Sequence, residues 1–112
     1  MNPRRETVLW VAQRVTAVVL AFCVLVHLAT IIYAVRGGLS AAEILGRTRG
    51  SVAWAAFYVI FVMAVAVHGA IGLRAVAAEW LDFRGEAAEF VMTVVGFALA
   101  VMGLRAVVAV FG

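Results

Sequence analysis

Three long stretches of this chain carry almost no charge, and each is long enough to cross a lipid bilayer. Val15 to Val35 gives 21 residues without a formal charge, Ser51 to Leu73 gives 23, and Phe90 to Gly112 gives 23 interrupted only by Arg105. A spanning helix needs about 20 apolar residues. The composition agrees: 67% of the 112 residues are hydrophobic, 13% are charged, and the mean hydropathy is +1.13. Those values lie outside the range of a water-soluble domain. The expected fold is an all-α membrane protein with three transmembrane helices, at about 8–35, 51–78 and 88–111, in one domain over residues 1–112.

Arg4 and Arg5 precede the first stretch, as in a secretory signal. Its 21 residues exceed the roughly 7 to 15 of a signal's apolar region, so the stretch is expected to remain as a helix. The lone Cys23 excludes an intrachain disulfide and reads as a small packing residue. A net charge of +3 raises the question of nucleic acid, but the nine arginines are scattered at helix ends with no basic stripe. They read as membrane-flanking residues facing lipid headgroups, and no nucleic acid is expected.

"RGGLSAAEILGRTRG", residues 36–50, reads as the first loop with a short interfacial turn at "SAAEIL", and "RAVAAEWLDFRGEAAE", residues 74–89, as the second. With the N-terminus in the cytoplasm, Arg4, Arg5, Arg14, Arg74 and Arg84 lie inside; Arg36, Arg47 and Arg49 lie outside, and Arg105 near the outer end. The positive-inside rule favours that orientation by a small margin. Three helices enclose little on their own. Gly69, Gly72, Gly96, Gly103 and many alanines offer close-approach surfaces, so a partner chain or oligomer is expected.

The two histidines, His27 and His68, both lie inside apolar helices. Ionisable groups at such depth are costly and usually face a structural or functional partner. One reading is a plain hydrogen bond across helices. The other is haem, whose iron binds neutral imidazole and whose ring gains from apolar surroundings. His27 stands 12 residues after Val15, about 18 Å from the inner edge of its helix. His68 stands 5 residues before Leu73 on a helix running the other way, about 8 Å from the same side. The gap of about 10 Å makes them poor ligands for one iron. The economical alternative is two haems, one near each face, with opposite ligands from another chain. Gly72, one turn after His68, would leave room for a flat ring. Arg74 and Arg14 could meet propionates and Arg105 could serve the outer haem, although all three could equally snorkel to lipid phosphate.

These residues resemble a known pattern. "WVAQRVTAVVLAF", residues 10–22, looks like the start of the first helix in the small cytochrome b membrane-anchor subunits of succinate dehydrogenase and fumarate reductase, complex II. "HGAIGLRAVAAEW", residues 68–80, looks like the second-helix signature: a haem histidine, glycine four residues later, then an acidic residue and an aromatic. The resemblance implies that His68 is the axial ligand of the haem nearer the cytoplasm, with Gly72 as its clearance residue, and that His27 matches the first-helix ligand of two-haem members. Arg14 and Thr16 would lie near the quinone pocket and the propionates. Glu79 and Trp80 fall where the family often has Asp and Tyr; an indole can donate a hydrogen bond but has no phenol proton to exchange. Gln13 stands where some members have histidine.

Further implications concern the assembly. The chain would be half of a multi-helix bundle completed by a second membrane-anchor subunit, in a bacterial cytoplasmic (inner) membrane. It would hold haem b, two in all and shared with that partner, and it would not be catalytic alone. A flavoprotein subunit would oxidise succinate and an iron–sulfur subunit would relay electrons to a quinone; this chain has no glycine-rich nucleotide loop and only one cysteine. Two other readings stand beside this one. A haemless structural anchor would use the histidines for packing alone, and a small proton-coupled transporter would need an intramembrane carboxylate, whereas all six acidic residues are expected in loops or termini.

Overall fold

The structure, a computed structural model, describes residues 2–112. Four helices account for nearly all of it: α1 (Pro3–Arg36), α2 (Ala41–Thr48), α3 (Val52–Leu81) and α4 (Glu86–Phe111). The three long ones are apolar enough to cross a membrane, and the chain is a multi-pass membrane protein. At 1.5 Å per residue, the 34 residues of α1 extend about 51 Å, well beyond a hydrocarbon layer of about 30 Å. Its ends therefore stand in the interfaces.

Local chemistry sets where each helix starts and stops. Asn2 caps α1 by accepting from the Arg4 N–H, with Pro3 as the first helical residue. The helix thus begins five residues before the expected position 8 and carries Arg5 and Glu6 on its first turns. Ser40 and Glu43 form a reciprocal capping box at the start of α2, so the expected interfacial turn is a true helix of eight residues. Residues 74–81, which the loop reading of 74–89 also covered, are helical, and α3 ends three residues past the expected 78. They continue α3, because "RAVAAEWL" is built of good helix formers and leaving the hydrocarbon does not oblige a helix to end. The stop comes at Asp82, in the left-handed conformation (φ 52°), where the Phe83 N–H reaches back to the Ala77 carbonyl at 3.1 Å. Arg74, Glu79 and Trp80 therefore have fixed places on α3, and the second loop shrinks to residues 82–85.

α3 is the central helix, with α1 and α4 packed on either side. On α4 the facing positions are Ala88, Met92, Gly96, Leu99, Gly103 and Val107, spaced by three and four residues, the stripe that lets two helices run nearly antiparallel. Small residues bring the axes close. A Cβ on Gly96 would stand 3.2 Å from the Ala70 Cβ, and one on Gly103 would lie inside the Val62 side chain. The result is a rod of 51 × 24 × 22 Å with long apolar side chains exposed along it.

The two ends are tied differently. At one, α2 and the turn after it cover the end of α4: the Thr48 hydroxyl donates to the Val110 carbonyl at 2.8 Å and the Gly50 N–H to that of Phe111 at 2.9 Å. These carbonyls have no partner within their own helix, and Gly50 needs its positive φ of 69° to reach them. At the other end Arg74 of α3 binds Glu6 of α1 at 3.0 Å and Glu89 of α4 at 2.7 Å, and Arg5 also pairs with Glu89. One arginine joins all three spans.

Candidate cofactor sites at the two histidines

His68 and His27 both lie in the seam between α1 and α3, and each meets a hydroxyl from the opposite helix. His68 Nδ1 is 3.2 Å from Thr16 Oγ1, and His27 Nδ1 is 3.2 Å from the Tyr58 hydroxyl. The two contacts fix the register of the antiparallel pair. Thr16 and His27 are eleven residues apart on α1, and Tyr58 and His68 are ten apart on α3. The imidazoles are therefore separated by about 15 Å along the axis. That is wider than the offset of about 10 Å read from the ends of the apolar runs, because those runs do not mark the helix ends. The two imidazoles cannot share one iron.

His27 sits among aromatic rings. Tyr58 and Phe61 meet it edge-on at centroid distances of 5.7 and 5.6 Å, and Trp54 and Phe57 extend the cluster. Cavities open on two sides of it. One, of about 420 Å³, lies between α1, α2 and α3 and is lined by His27, Tyr33, Ile44, Arg47, Trp54 and Tyr58. The other, of about 270 Å³, is bounded by Ile44, Val62, Gly103 and Val107 as well as His27. Trp54, Phe57, Tyr58 and Phe61 recur at helical spacing, a signal visible in the sequence and overlooked there.

Beside His68 on α3, Gly72 meets Gln13 of α1. His68 and Gly72 both face α1, and the space left by the missing side chain is entered by Gln13, whose Nε2 stands 3.3 Å from where a Cβ would be. A side chain at position 72 would crowd the Gln13 amide. Gln13 Oε1 is buried with no hydrogen-bond partner, an acceptor left open next to the His68 level. Sequence reading treated Gln13 only as a departure from a pattern.

The remaining expected site residues are scattered. Arg14, one turn from Trp10, holds its guanidinium 5.2 Å from the indole centroid and is exposed. Arg74 spends its charge on Glu6 and Glu89. Arg105 is two residues from both Gly103 and Val107, about 200° around the helix from the packed stripe; it is exposed and lines neither cavity beside His27. Glu79 and Trp80 are exposed at the end of α3, with Trp80 at 81%, a position suited to anchoring at the membrane interface.

This geometry fits haem in one respect. Each imidazole has its Nδ1 held by a hydroxyl, so Nε2 is the nitrogen left for a metal. Among the described residues no three of His, Cys, Asp and Glu come together. Each imidazole would thus act singly, as an axial ligand does toward an iron already held by a porphyrin.

Fold and interior together define a small three-span membrane protein with an imidazole set in each half of its thickness. The family model described as succinate dehydrogenase/fumarate reductase transmembrane subunit matches residues 1–104, and the chain belongs to that family. No curated protein and no solved structure matches it.

Proposed function

We propose that this chain is a haem-bearing anchor subunit of a succinate:quinone oxidoreductase, carrying electrons between an iron–sulfur subunit and membrane quinone. The observation that carries the reading is the pair of imidazoles, each tethered at Nδ1 and about 15 Å apart along the helices. Haem b, when bound, supplies a one-electron carrier. His68 and His27 would be axial ligands to two different haems, with the opposite ligands and the rest of the bundle coming from a second anchor chain. The exposed apolar length of α1 and α4 supports such a partner.

The other residues divide the work. Arg14 is the better partner for propionates, since the charge of Arg74 is already balanced by two carboxylates. Arg105, facing away from α3, would reach an acidic group of the outer haem or the second anchor. The quinone would bind at the end bearing Arg14, Thr16, Glu79 and Trp80, where Gln13 Oε1 offers an acceptor for a quinol hydroxyl. That end, with Arg5, Arg74 and Arg84, would face the cytoplasm of a bacterium and receive the iron–sulfur and flavoprotein subunits.

The test is a reduced-minus-oxidised spectrum with a pyridine haemochrome assay on the detergent-purified complex. Two b haems per anchor pair are expected, with His68→Ala and His27→Ala each removing one signal. A colourless complex that tolerates His68→Gln would overturn the reading in favour of a structural anchor. Loss of both signals from either substitution would overturn the two-haem arrangement.

A further inference from the structure

The Thr16 hydroxyl is used twice. Its oxygen is 2.7 Å from the Ala12 carbonyl and 3.1 Å from that of Gln13, and the same oxygen is 3.2 Å from His68 Nδ1. A hydroxyl has one proton and two lone pairs, and a carbonyl can only accept. The proton of Thr16 is therefore committed to its own helix, the back-bond a threonine makes one turn up. What it presents to His68 is a lone pair.

We infer that Thr16 is a positioning residue for His68: it accepts a hydrogen bond from Nδ1–H, fixes that tautomer, and leaves Nε2 unprotonated as the ligand nitrogen. An acceptor on the far nitrogen also makes an imidazole more basic toward a metal and stabilises the higher oxidation state. His27 is different. Its partner Tyr58 has no second acceptor for its hydroxyl proton among the described residues, so the phenol can donate or accept and the tautomer there is open. The two histidines thus look alike in sequence but enter their roles differently.

The inference rests on the haem reading for its purpose, but not for its test. The tautomer is read by ¹⁵N chemical shifts of the full chain, histidine-labelled and reconstituted in bilayers without haem. Wild-type His68 is expected to show a single Nδ1–H tautomer, retained in Thr16→Ser and lost to a mixture in Thr16→Val, which keeps the shape and removes the oxygen. In the purified complex, Thr16→Val is expected to raise the midpoint potential of the His68 haem while leaving the other haem unmoved, and Thr16→Ser to restore it. An Nε2–H tautomer in the wild type, or a tautomer and potential both unchanged in Thr16→Val, would overturn the role of Thr16 and leave the haem assignment standing. A complex without haem would sink the haem assignment, and the tautomer pattern would still decide whether Thr16 sets the proton on His68.

Discussion

Tyr58 and Thr16 do similar work in the seam between α1 and α3, but only Tyr58 spends its hydroxyl wholly on the opposite helix. Tyr58→Phe keeps the ring in the aromatic cluster around His27 and removes one hydrogen bond across helices. Such bonds within membranes are worth about 0.6 kcal/mol on average, because the separated helices also find partners. The expected loss is of that size, measured by denaturation of the reconstituted chain in mixed detergent micelles. A loss several times larger would mean that the phenol also orders the cavity residues around it. Neither hydroxyl pairing was read from sequence: finding Thr16 beside His68 requires the register of two helices, which residue types alone do not give.

At the scale of the helix, Gly103 and Gly46 make a contrast. A methyl on Gly103 would enter the Val62 side chain, whereas one on Gly46 meets nothing within 4 Å. Gly103→Ala is expected to cost about 1–3 kcal/mol through overpacking of α3 against α4. Gly46→Ala, in the exposed middle of α2, is expected to gain up to about 1 kcal/mol from helix propensity. Both are read in the same denaturation series. The cap of α2 adds a pH dependence. The hydrogen bond from the Ser40 backbone N–H, followed by that with its side chain, holds the Glu43 carboxyl below its ordinary value. A carboxyl whose pKa is lowered by folding contributes stability above its unfolded pKa and loses it as pH falls through the folded value. Hydrogen exchange should therefore show the Ser40 amide protected at neutral pH, after correction for the intrinsic rate, and less so in acid below the ordinary carboxylate range. Glu43→Gln should flatten that dependence.

At the scale of the whole molecule, the few buried residues among those described are small or apolar: Cys23, Ala64, Ala66, Ala77, Ala88, Met92 and Val107. Lipid is as apolar as leucine, so no hydrophobic force drives such helices together. Close packing and the ionic tie at one end must hold them. Arg74, with its side chain 22% exposed, binds carboxylates from both flanking helices, whereas Arg5 is 54% exposed and binds one. Arg74→Gln is expected to cost about 1.5–3 kcal/mol, the range for a hydrogen bond to a charged group; Arg5→Gln should cost less than about 1 kcal/mol, as exposed pairs do. The same denaturation series reads the loosening, with a larger shift in Arg74→Gln than in Arg5→Gln.

What the sequence determined by itself was the number of spans, their approximate centres and the presence of two intramembrane imidazoles, because hydropathy and helical rise are properties of each segment alone. The Ser40–Glu43 capping box of α2 is equally local, although the sequence was read there only as an interfacial turn. The tertiary structure decided the rest. It carried α3 past residue 78 through Glu79 and Trp80, set Gln13 beside Gly72, and bound Arg74 to Glu6 and Glu89. It also set the two histidines opposite Thr16 and Tyr58. Each of these depends on the register and rotation of one helix against another. In a chain whose apolar faces point all round the helix, only the packing of small residues and the pairing of polar ones can fix them.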